Sequence, residues 1–261
     1  MTEPVDRLVE VERRDGFAIV TLARPDKMNA VSLAMATQLT AALERLSDVA
    51  AIVVTGRGRA FCSGVDLTER RQVRQSWRAH LGVDHGQYWA DTVAAFYHHP
   101  AILIAAVNGY ALGGGLTLVN CCDLAVAADT AEFGMPELGF GAVPALAGPT
   151  TSQRLLPKHL AEMVFLPGRI KAGQALDWGL VNAVVPGDEV VERACLWAGQ
   201  IAGRDPVALA YTKRLLQQTP HLDWTGAIEQ GALAATTVAS TRQVLAASTE
   251  PSPTAPDAGP R

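Results

Sequence analysis

Two uninterrupted apolar runs constrain the fold of this 261-residue chain more than any other feature of its sequence. They cover residues 51–55 (AIVVT) and 102–107 (ILIAAV), and neither run alternates between apolar and polar residues. A strand of this kind is buried on both faces, as happens when helices cover both sides of a parallel or mixed sheet. Because segments of helical pattern lie between such runs, we expect an α/β protein built around a layered mixed sheet.

Local signals predict the remaining secondary structure. Residues 8–12 and 17–22 are typical of a hairpin with a turn at Asp15-Gly16, and Ser32 is expected to cap a helix whose apolar residues share one face. Two further strands are predicted at 122–127 and 181–185. One further helix is predicted to end near residue 97, and three more are predicted near 188–202, 206–218 and 223–246. Beyond residue 161 the chain is therefore expected to be mainly helical, with one short strand.

The composition limits the kinds of partner that this protein is expected to bind. Lys and Arg number 22 and Asp and Glu number 26, so the formal net charge is −4, and 49% of the residues are hydrophobic. Such a chain can bury a large core, which excludes a disordered protein, and it lacks the basic excess of most nucleic-acid-binding proteins. The longest strongly apolar run, 101–107, is far shorter than the ~20 residues that span a bilayer. Neither a nucleic-acid partner nor a membrane partner is expected.

The cysteines and the first fifteen residues indicate the cellular compartment in which the protein is expected. Cys62, Cys121, Cys122 and Cys195 form no C-x-x-C pair, so they are interpreted as reduced thiols and no metal site is predicted. Acidic residues interrupt any apolar stretch between positions 6 and 15, and no secretory signal is expected. These observations favour a cytoplasmic protein.

Changes in pattern along the chain divide it into three parts. Residues 1–200 are predicted to form the α/β core, and residues 201–247 a C-terminal helical region. Residues 248–261 are rich in Pro, Ser, Thr and Ala and are predicted to be a disordered tail.

Two glycine-containing segments, 59–67 (RAFCSGVDL) and 107–116 (VNGYALGGGL), each directly follow a predicted buried strand. Glycine lets backbone N–H groups approach a ligand, and the three glycines 113–115 open a helix, whose positive dipole end adds to those donors. Neither phosphate-binding glycine motif fits, because Leu118 and Leu116 stand where those motifs need Gly and Lys. Two converging N–H groups would make an oxyanion hole; tight helix–strand packing alone is the alternative explanation.

These segments carry a family resemblance. The first resembles the A-F-C-x-G-x-D-[LI] signature of the crotonase superfamily, the enoyl-CoA hydratase/isomerase family, and the second resembles its A-x-x-G-x-A-x-G-G-G signature. Further matching segments follow in the family's order, at 122–124 (CDL), 133–138 (FGMPEL), 153–155 (QRL) and 179–186 (GLVNAVVP). The resemblance covers roughly residues 7–218.

The resemblance implies both a fold and a substrate class. The implied fold is a core of repeated ββα units that form two packed sheets flanked by helices, with a C-terminal helical region that covers the active site and builds a homotrimer or hexamer. The implied substrate is an acyl-CoA thioester, which reacts through an enolate held in an oxyanion hole. On the family pattern the N–H groups of Val65 and Gly114 are the donors. No cofactor is implied, since CoA is part of the substrate.

One of the two glutamates that hydratases of this family use is missing. Glu137 matches the glutamate that delivers a proton beside the carbonyl, and its neighbours Phe133, Met135, Leu138 and Phe140 are apolar, which strengthens a carboxylate as a base. Thr117 stands at the position of the other glutamate, and its hydroxyl can orient a water but cannot act as a general base near neutral pH.

A single carboxylate suffices to shift a double bond, so an enoyl-CoA (Δ3–Δ2) isomerase is the leading prediction. A hydratase or dehydratase that uses another acid, such as Glu132 or Asp91, is the first alternative. An acyl-CoA-binding protein without catalytic activity is the second alternative.

Further residues are expected to contact the substrate. By the resemblance, Arg24, Lys27 and Lys213 are candidates to bind the phosphates of CoA. The residues expected around the thioester are those of the two glycine segments, namely Ala60, Cys62, Ser63, Gly64, Asp66, Leu67, Gly113 and Thr117. Asp66 is also interpreted as a structural residue that accepts backbone N–H bonds in the first turn. Trp89 is expected either to line an acyl pocket or to belong to the core.

Overall fold

The computed structural model describes residues 7–69, 87–166 and 168–249. The strands of this part of the chain are β1 (Val9–Arg14), β2 (Phe17–Leu22), β3 (Ala51–Gly56), β4 (Ala60–Cys62), β5 (Ile102–Val107), β6 (Tyr110–Leu112), β7 (Leu124–Ala128), β8 (Glu132–Gly134), β9 (Ile170–Lys171) and β10 (Ala183–Val185). The helices are α1 (Leu33–Glu44), α2 (Gln87–His98), α3 (Gly114–Cys121), α4 (Ala147–Ser152), α5 (Pro157–Phe165), α6 (Ala172–Asp177), α7 (Val190–Ala202), α8 (Pro206–Gln218) and α9 (Trp224–Thr249).

The long apolar strands β3 and β5 lie at the centre of one mixed sheet in the order β1-β2-β3-β5-β7-β10, in which the β1–β2 hairpin is antiparallel and the other pairs are parallel. Ile52 and Leu103 pair in register and pack with α1 on one face of the sheet. Val53 and Ile104 pair one residue further along and pack with α7 on the other face. The prediction that these strands are buried on both faces is therefore confirmed.

A second sheet, in the order β4-β6-β8-β9, consists of strands only two or three residues long. Together with the larger sheet and the surrounding helices, it gives the two-sheet fold that the family resemblance implies. The hydrophobic pattern predicted none of these short strands, because two or three residues show no measurable period. The expectation of a single strand beyond residue 161 was accordingly wrong, since β9 precedes β10.

Several local predictions are also confirmed. The hairpin turns at Gly16, whose φ is +73°. The Ser32 side chain accepts a hydrogen bond from the N–H of Met35 (3.2 Å) and so caps α1. The predicted strands at 122–127 and 181–185 are present with shifted bounds, as β7 and β10. The three trailing helices are present as α7, α8 and α9.

The chain divides into two units, Met1–Arg204 and Asp205–Arg261, whereas the predicted boundary followed residue 200. In the second unit, the Asp205 side chain accepts the N–H of Ala208 (2.7 Å) at the start of α8, and it pairs with Arg242 of α9 at 3.2 Å. Helix α9 continues to Thr249, so the first two residues of the predicted tail are helical. The rest of that tail, 250–261, lies outside the described residues.

None of the helices in the described part of the chain has the length and apolarity that crossing a membrane requires.

Candidate active site

The two glycine segments meet because short parallel strands lead into both of them. Strand β4 pairs with β6 through Ala60 with Tyr110 and Cys62 with Ala111, so the turns that follow these strands emerge at the same edge of the small sheet. The backbones there are in contact: a Cβ placed on Gly64 would lie 3.1 Å from the nitrogen of Gly114. Residues far apart in sequence thus form one continuous backbone surface.

Glycine is required in both turns. Gly64 has a φ of +98° and Gly113 a φ of +51°, conformations that residues with a Cβ rarely adopt. A Cβ on Gly115 would lie 1.9 Å from the carbonyl oxygen of Cys62, so the first turn of α3 can pack against β4 only without a side chain. The packing explanation of the three glycines therefore applies to Gly115, while Gly113 shapes the turn itself.

The first turn directs one amide away from its neighbouring strand. Val31 and Val65 form an isolated parallel bridge, in which the N–H of Val31 donates to Gly64 O (2.8 Å) and the N–H of Asp66 donates to Val31 O (2.9 Å). In such a bridge the N–H of the central residue points to the opposite side. The Val65 N–H takes no part in this bridge, and it makes no backbone hydrogen bond with any other described residue.

The second turn supplies a helix N-terminus. The earliest backbone hydrogen bond of α3 runs from the N–H of Thr117 to Gly113 O (3.1 Å), so the N–H of Gly114 has no acceptor inside the helix. The positive end of the helix dipole lies at the same point. The predicted donors, Val65 and Gly114, are therefore on adjoining turns, and neither amide has a backbone acceptor among the described residues.

Glu137 lies against the second turn. The N–H of Gly113 donates to Gly134 O (2.9 Å), which ties the end of β8 to the turn, and the chain continues from β8 into a 3₁₀ turn at Pro136–Phe140. A Cβ on Gly113 would lie 2.7 Å from Glu137 Oε1, and Oε2 is shielded from solvent. This arrangement puts a carboxylate beside the proposed oxyanion donors.

The apolar surroundings of Glu137 are only partly as expected. Phe133 and Met135 are buried beneath the turn, but Leu138 and Phe140 are 45% and 49% exposed. The 3₁₀ turn explains the difference, because it carries its own side chains outward while the preceding strand enters the core.

Thr117 is fully buried one turn into α3, and its hydroxyl donates to Gly113 O at 3.4 Å. The alternative acids have other partners. Glu132 pairs with Arg169 (3.2 Å) at the edge of the small sheet, and the exposed Asp91 accepts a hydrogen bond from the Gln87 side chain (2.7 Å). Of the acids considered for proton transfer (Glu137, Glu132 and Asp91), Glu137 is the one that the structure shows beside the second turn.

Comparison with known proteins identifies the family. The profile described as "Enoyl-CoA hydratase/isomerase" matches residues 12–245. The chain belongs to this family. The family acts on acyl-CoA thioesters, and this chain is an enzyme of that class.

Relatives in the enoyl-CoA hydratase/isomerase family resemble the chain over most of its length. The 2,3-dehydroadipyl-CoA hydratase of Escherichia coli strain K12 is 38% identical over 213 residues, which cover 80% of this chain and 81% of the relative. The short-chain-enoyl-CoA hydratase of Clostridium acetobutylicum is 32% identical over 220 residues, which cover 82% and 83%. The crystal structure of an enoyl-CoA hydratase from Bacillus anthracis superposes with a TM-score of 0.83 at 28% identity and covers 91% of this chain and 93% of that one.

In this family member Asp66 is buried in the first turn. It accepts hydrogen bonds from the N–H groups of Thr68 (2.9 Å) and Glu69 (3.3 Å) and from Arg24 Nη1 (2.7 Å). Burial alone would raise the pKa of Asp66, but these hydrogen bonds outweigh burial and hold it below the usual range. As expected, the residue accepts backbone N–H bonds within the turn.

The candidate phosphate-binding cations differ in their surroundings. Lys27 is exposed on the loop that follows β2. Arg24, on the same loop, is half-buried and bound to Asp66. Lys213 is buried and belongs to α8 in the second unit. Their binding of CoA stays a prediction.

The other predicted residues of the first turn also differ in exposure. Ala60 and Cys62 are fully buried, and burial raises the pKa of the Cys62 thiol to about 12, so it is not a nucleophile at working pH. Ser63 is half-buried and its hydroxyl donates to Lys27 O (3.4 Å), whereas Leu67 is 40% exposed.

Sequence reasoning missed Asn29 altogether. The residue is fully buried with a φ of +54°, its Oδ1 accepts the N–H of Arg24 (2.9 Å), and its Nδ2 donates to Ala60 O (2.8 Å). It therefore ties the loop after β2 to β4. The available signal was an asparagine in a turn-forming loop, since asparagine tolerates the left-handed conformation.

The structure decides between the two locations predicted for Trp89. It is 7% exposed, and its ring Cζ2 lies 3.0 Å from where a Cβ on Gly114 would be. The indole thus belongs to the core and packs against the second turn.

Proposed function

We propose that this family member is an enoyl-CoA (Δ3–Δ2) isomerase that uses one carboxylate. One observation carries the proposal. Glu137 adjoins Gly113, while a buried threonine, Thr117, occupies the position where the resemblance implies the other glutamate of hydratases. A base that removes a proton from one carbon and returns it to another needs no second acid.

The proposed reaction proceeds in two proton transfers. The thioester oxygen accepts hydrogen bonds from the N–H groups of Val65 and Gly114, which makes the protons at C2 more acidic. Glu137 removes a C2 proton from a 3-enoyl-CoA, and the electrons move into a dienolate whose charge rests on the thioester oxygen. Glu137 then returns the proton to C4, and the double bond lies between C2 and C3. Removing one such oxyanion donor typically costs about 2.7–4 kcal/mol of transition-state stabilisation.

Hydration of a 2-enoyl-CoA is the second candidate, and the names of the relatives favour it. Both curated relatives described above are named hydratases. In this reaction Glu137 would transfer the proton at C2, while the Thr117 hydroxyl would hold a water but not deprotonate it.

The experiment supplies the purified protein with a 3-enoyl-CoA and, separately, with a 2-enoyl-CoA. Conjugation is followed by ultraviolet absorbance, and 3-hydroxyacyl-CoA by mass spectrometry. We expect conjugation, and we expect Glu137→Gln to lower its rate by about 10²–10⁴-fold, because the amide cannot accept the proton. Glu162→Gln, which alters an exposed glutamate of α5, is the matched control and should leave the rate unchanged.

The other outcomes separate the alternatives. Conjugation that survives Glu137→Gln contradicts the isomerase mechanism. Formation of 3-hydroxyacyl-CoA without conjugation supports the hydratase, and Thr117→Glu should then raise the rate of hydration. Tight thioester binding with no product from either substrate supports a binding protein.

We further propose that the reaction needs no cofactor beyond the CoA of the substrate, and that the active form is a homotrimer or hexamer. Light scattering on a size-exclusion column measures the second point, and a monomer that is fully active contradicts it.

A further inference from the structure

We propose that Arg24 is a positioning residue for the first oxyanion turn, an inference that rests on the proposed function because it assigns Val65 as a donor. The role expected for Arg24 from the sequence, binding of a CoA phosphate, is a different one. The two roles make different predictions for catalysis and for substrate binding.

The guanidinium joins the turn to the loop after β2. Nη1 of Arg24 donates to Asp66 Oδ2 at 2.7 Å and to Ala30 O at 3.0 Å. The side chains of Arg24 and Asp66 are only 21% and 11% exposed, so solvent screens the ion pair little. Such a pair has a fixed geometry, and Asp66 directly follows the proposed donor Val65.

The loop also binds the turn through the backbone. Residues on both sides of Val65 are held, because Gly64 O accepts the N–H of Val31 and Val31 O accepts the N–H of Asp66. The N–H of Ser63 donates to Met28 O (3.0 Å). The direction of the Val65 N–H therefore depends on the position of the loop, and Arg24 connects the start of the loop to the end of the turn.

Lysine would separate the two roles. The Nη1 atom is the sixth along the side chain from Cα, whereas the lysine nitrogen is the fifth, so lysine ends one bond short of both acceptors. An ammonium still attracts a mobile phosphate as a point charge. Arg24→Lys should therefore retain a phosphate ligand while it releases the turn.

The test compares Arg24→Lys with Asp66→Asn, which removes the charge from the other partner. Arg13→Lys is the matched control, because Arg13 pairs with Asp48 at 2.9 Å in an exposed ion pair on β1. We expect both test variants to lower kcat by about 10- to 100-fold, the effect of displacing a donor by ~1 Å. KM should stay within about threefold of the wild type. Arg13→Lys should change neither constant.

Two spectroscopic measurements make the result independent of turnover. The first is the carbonyl stretch of a bound ¹³C-labelled thioester, which should shift back toward its value in water in both test variants. The second is the amide NMR signal of Val65 in protein labelled with ¹⁵N-valine, which should move in both variants but not in Arg13→Lys. Circular dichroism establishes that each variant is folded.

The opposite results overturn the inference. If kcat and KM of Arg24→Lys both stay at the wild-type values, Arg24 acts only as a cation that lysine can replace, as a phosphate ligand would. An unmoved Val65 amide shows that the ion pair does not position the turn. Failure of the proposed function is distinguishable, because the wild type would then not conjugate a 3-enoyl-CoA, whereas the carbonyl stretch of the bound thioester and the Val65 amide signal report on the turn whichever product forms.

Discussion

Gly113 contacts three parts of the proposed site, namely the start of α3, the end of β8 and the carboxylate of Glu137. Its N–H donates to Gly134 O, its own carbonyl accepts the earliest hydrogen bond of α3, and Glu137 Oε1 lies 2.7 Å from where a Cβ on Gly113 would be. The residue therefore sets the position of the proposed base relative to the proposed donor.

Gly113→Ala tests this position. The new Cβ would lie 2.7 Å from Glu137 Oε1 and the φ of +51° disfavours alanine, so the carboxylate or the turn must move. We expect kcat for the enoyl-CoA reaction to fall by about 10²-fold, as for a ~1 Å displacement of a reacting group. Steady-state kinetics measure the loss.

Gly199→Ala is the matched control for Gly113→Ala. Gly199 lies inside α7 with nothing within 4 Å of its Cβ position, so alanine should keep the rate and add about 0.5–1 kcal/mol of stability. Equal activity of the two variants would contradict the importance of the turn.

At the scale of elements, α3 is held at both ends. Its N-terminus opens on the proposed oxyanion site, and at its C-terminus Arg154 donates to Asn120 O from Nε (3.0 Å) and Nη2 (2.7 Å) and to Cys122 O (3.4 Å). A cation at this end complements the helix dipole and binds carbonyls that the helix leaves free.

Arg154→Met should lower the free energy of unfolding by about 1–2 kcal/mol, because methionine keeps the aliphatic length but removes both the charge and the donors. Urea denaturation of the wild type and the variant measures the difference. Arg193→Met, at an exposed position of α7, is the control and should cost less than about 0.5 kcal/mol. An equal effect in both variants would mean that the arginine does not stabilise the helix end.

The elements differ in how far the sequence predicts them. Strands β3 and β5 were found because each has six residues, enough to show an uninterrupted apolar run. Strands β4, β6, β8 and β9 exist through pairing with each other, and such short segments carry no periodic signal. The glycine pattern located both turns, although it could not show that the small sheet brings them together.

The side-chain connections of the site were less accessible to prediction. Arg24 and Asp66 are 42 residues apart, and nothing in either local sequence indicates their pairing. Asn29 acts through its buried amide and a left-handed backbone, neither of which a single asparagine announces. These contacts are products of the assembled fold.

For the whole molecule, the lowered pKa of Asp66 couples stability to acid pH. A group whose pKa is lower in the folded than in the unfolded state stabilises the fold above its unfolded pKa, near 3.8 here. That contribution is lost as the pH falls through the lower, folded value. At pH 7 we expect Asp66→Asn to lower the free energy of unfolding by about 1.5–3 kcal/mol, the range for hydrogen bonds to charged groups.

Urea denaturation between pH 7 and pH 3 measures this coupling. The deficit of Asp66→Asn should shrink as the pH falls below about 3.8, because the carboxylate of the unfolded wild type then becomes protonated while that of the folded protein is still ionised. Asp48→Asn is the control, because Asp48 pairs with Arg13 but is 66% exposed and screened by solvent. A deficit that stays constant with pH would contradict a role for the ionised carboxylate.

The alternation of long and short strands determines which substitutions can change the reaction that such a protein catalyses. Strands β3 and β4, β5 and β6, and β7 and β8 are successive pairs, and each pair ends in one chemical group: the amide of Val65, the amide of Gly114 and the carboxylate of Glu137. In the proposed mechanism, two of these strand pairs thus supply the amides that polarise the thioester, and the third supplies the carboxylate that transfers the proton. Substitutions in the third strand pair can therefore change the proton transfer while the first two pairs keep the amide donors that polarise the thioester.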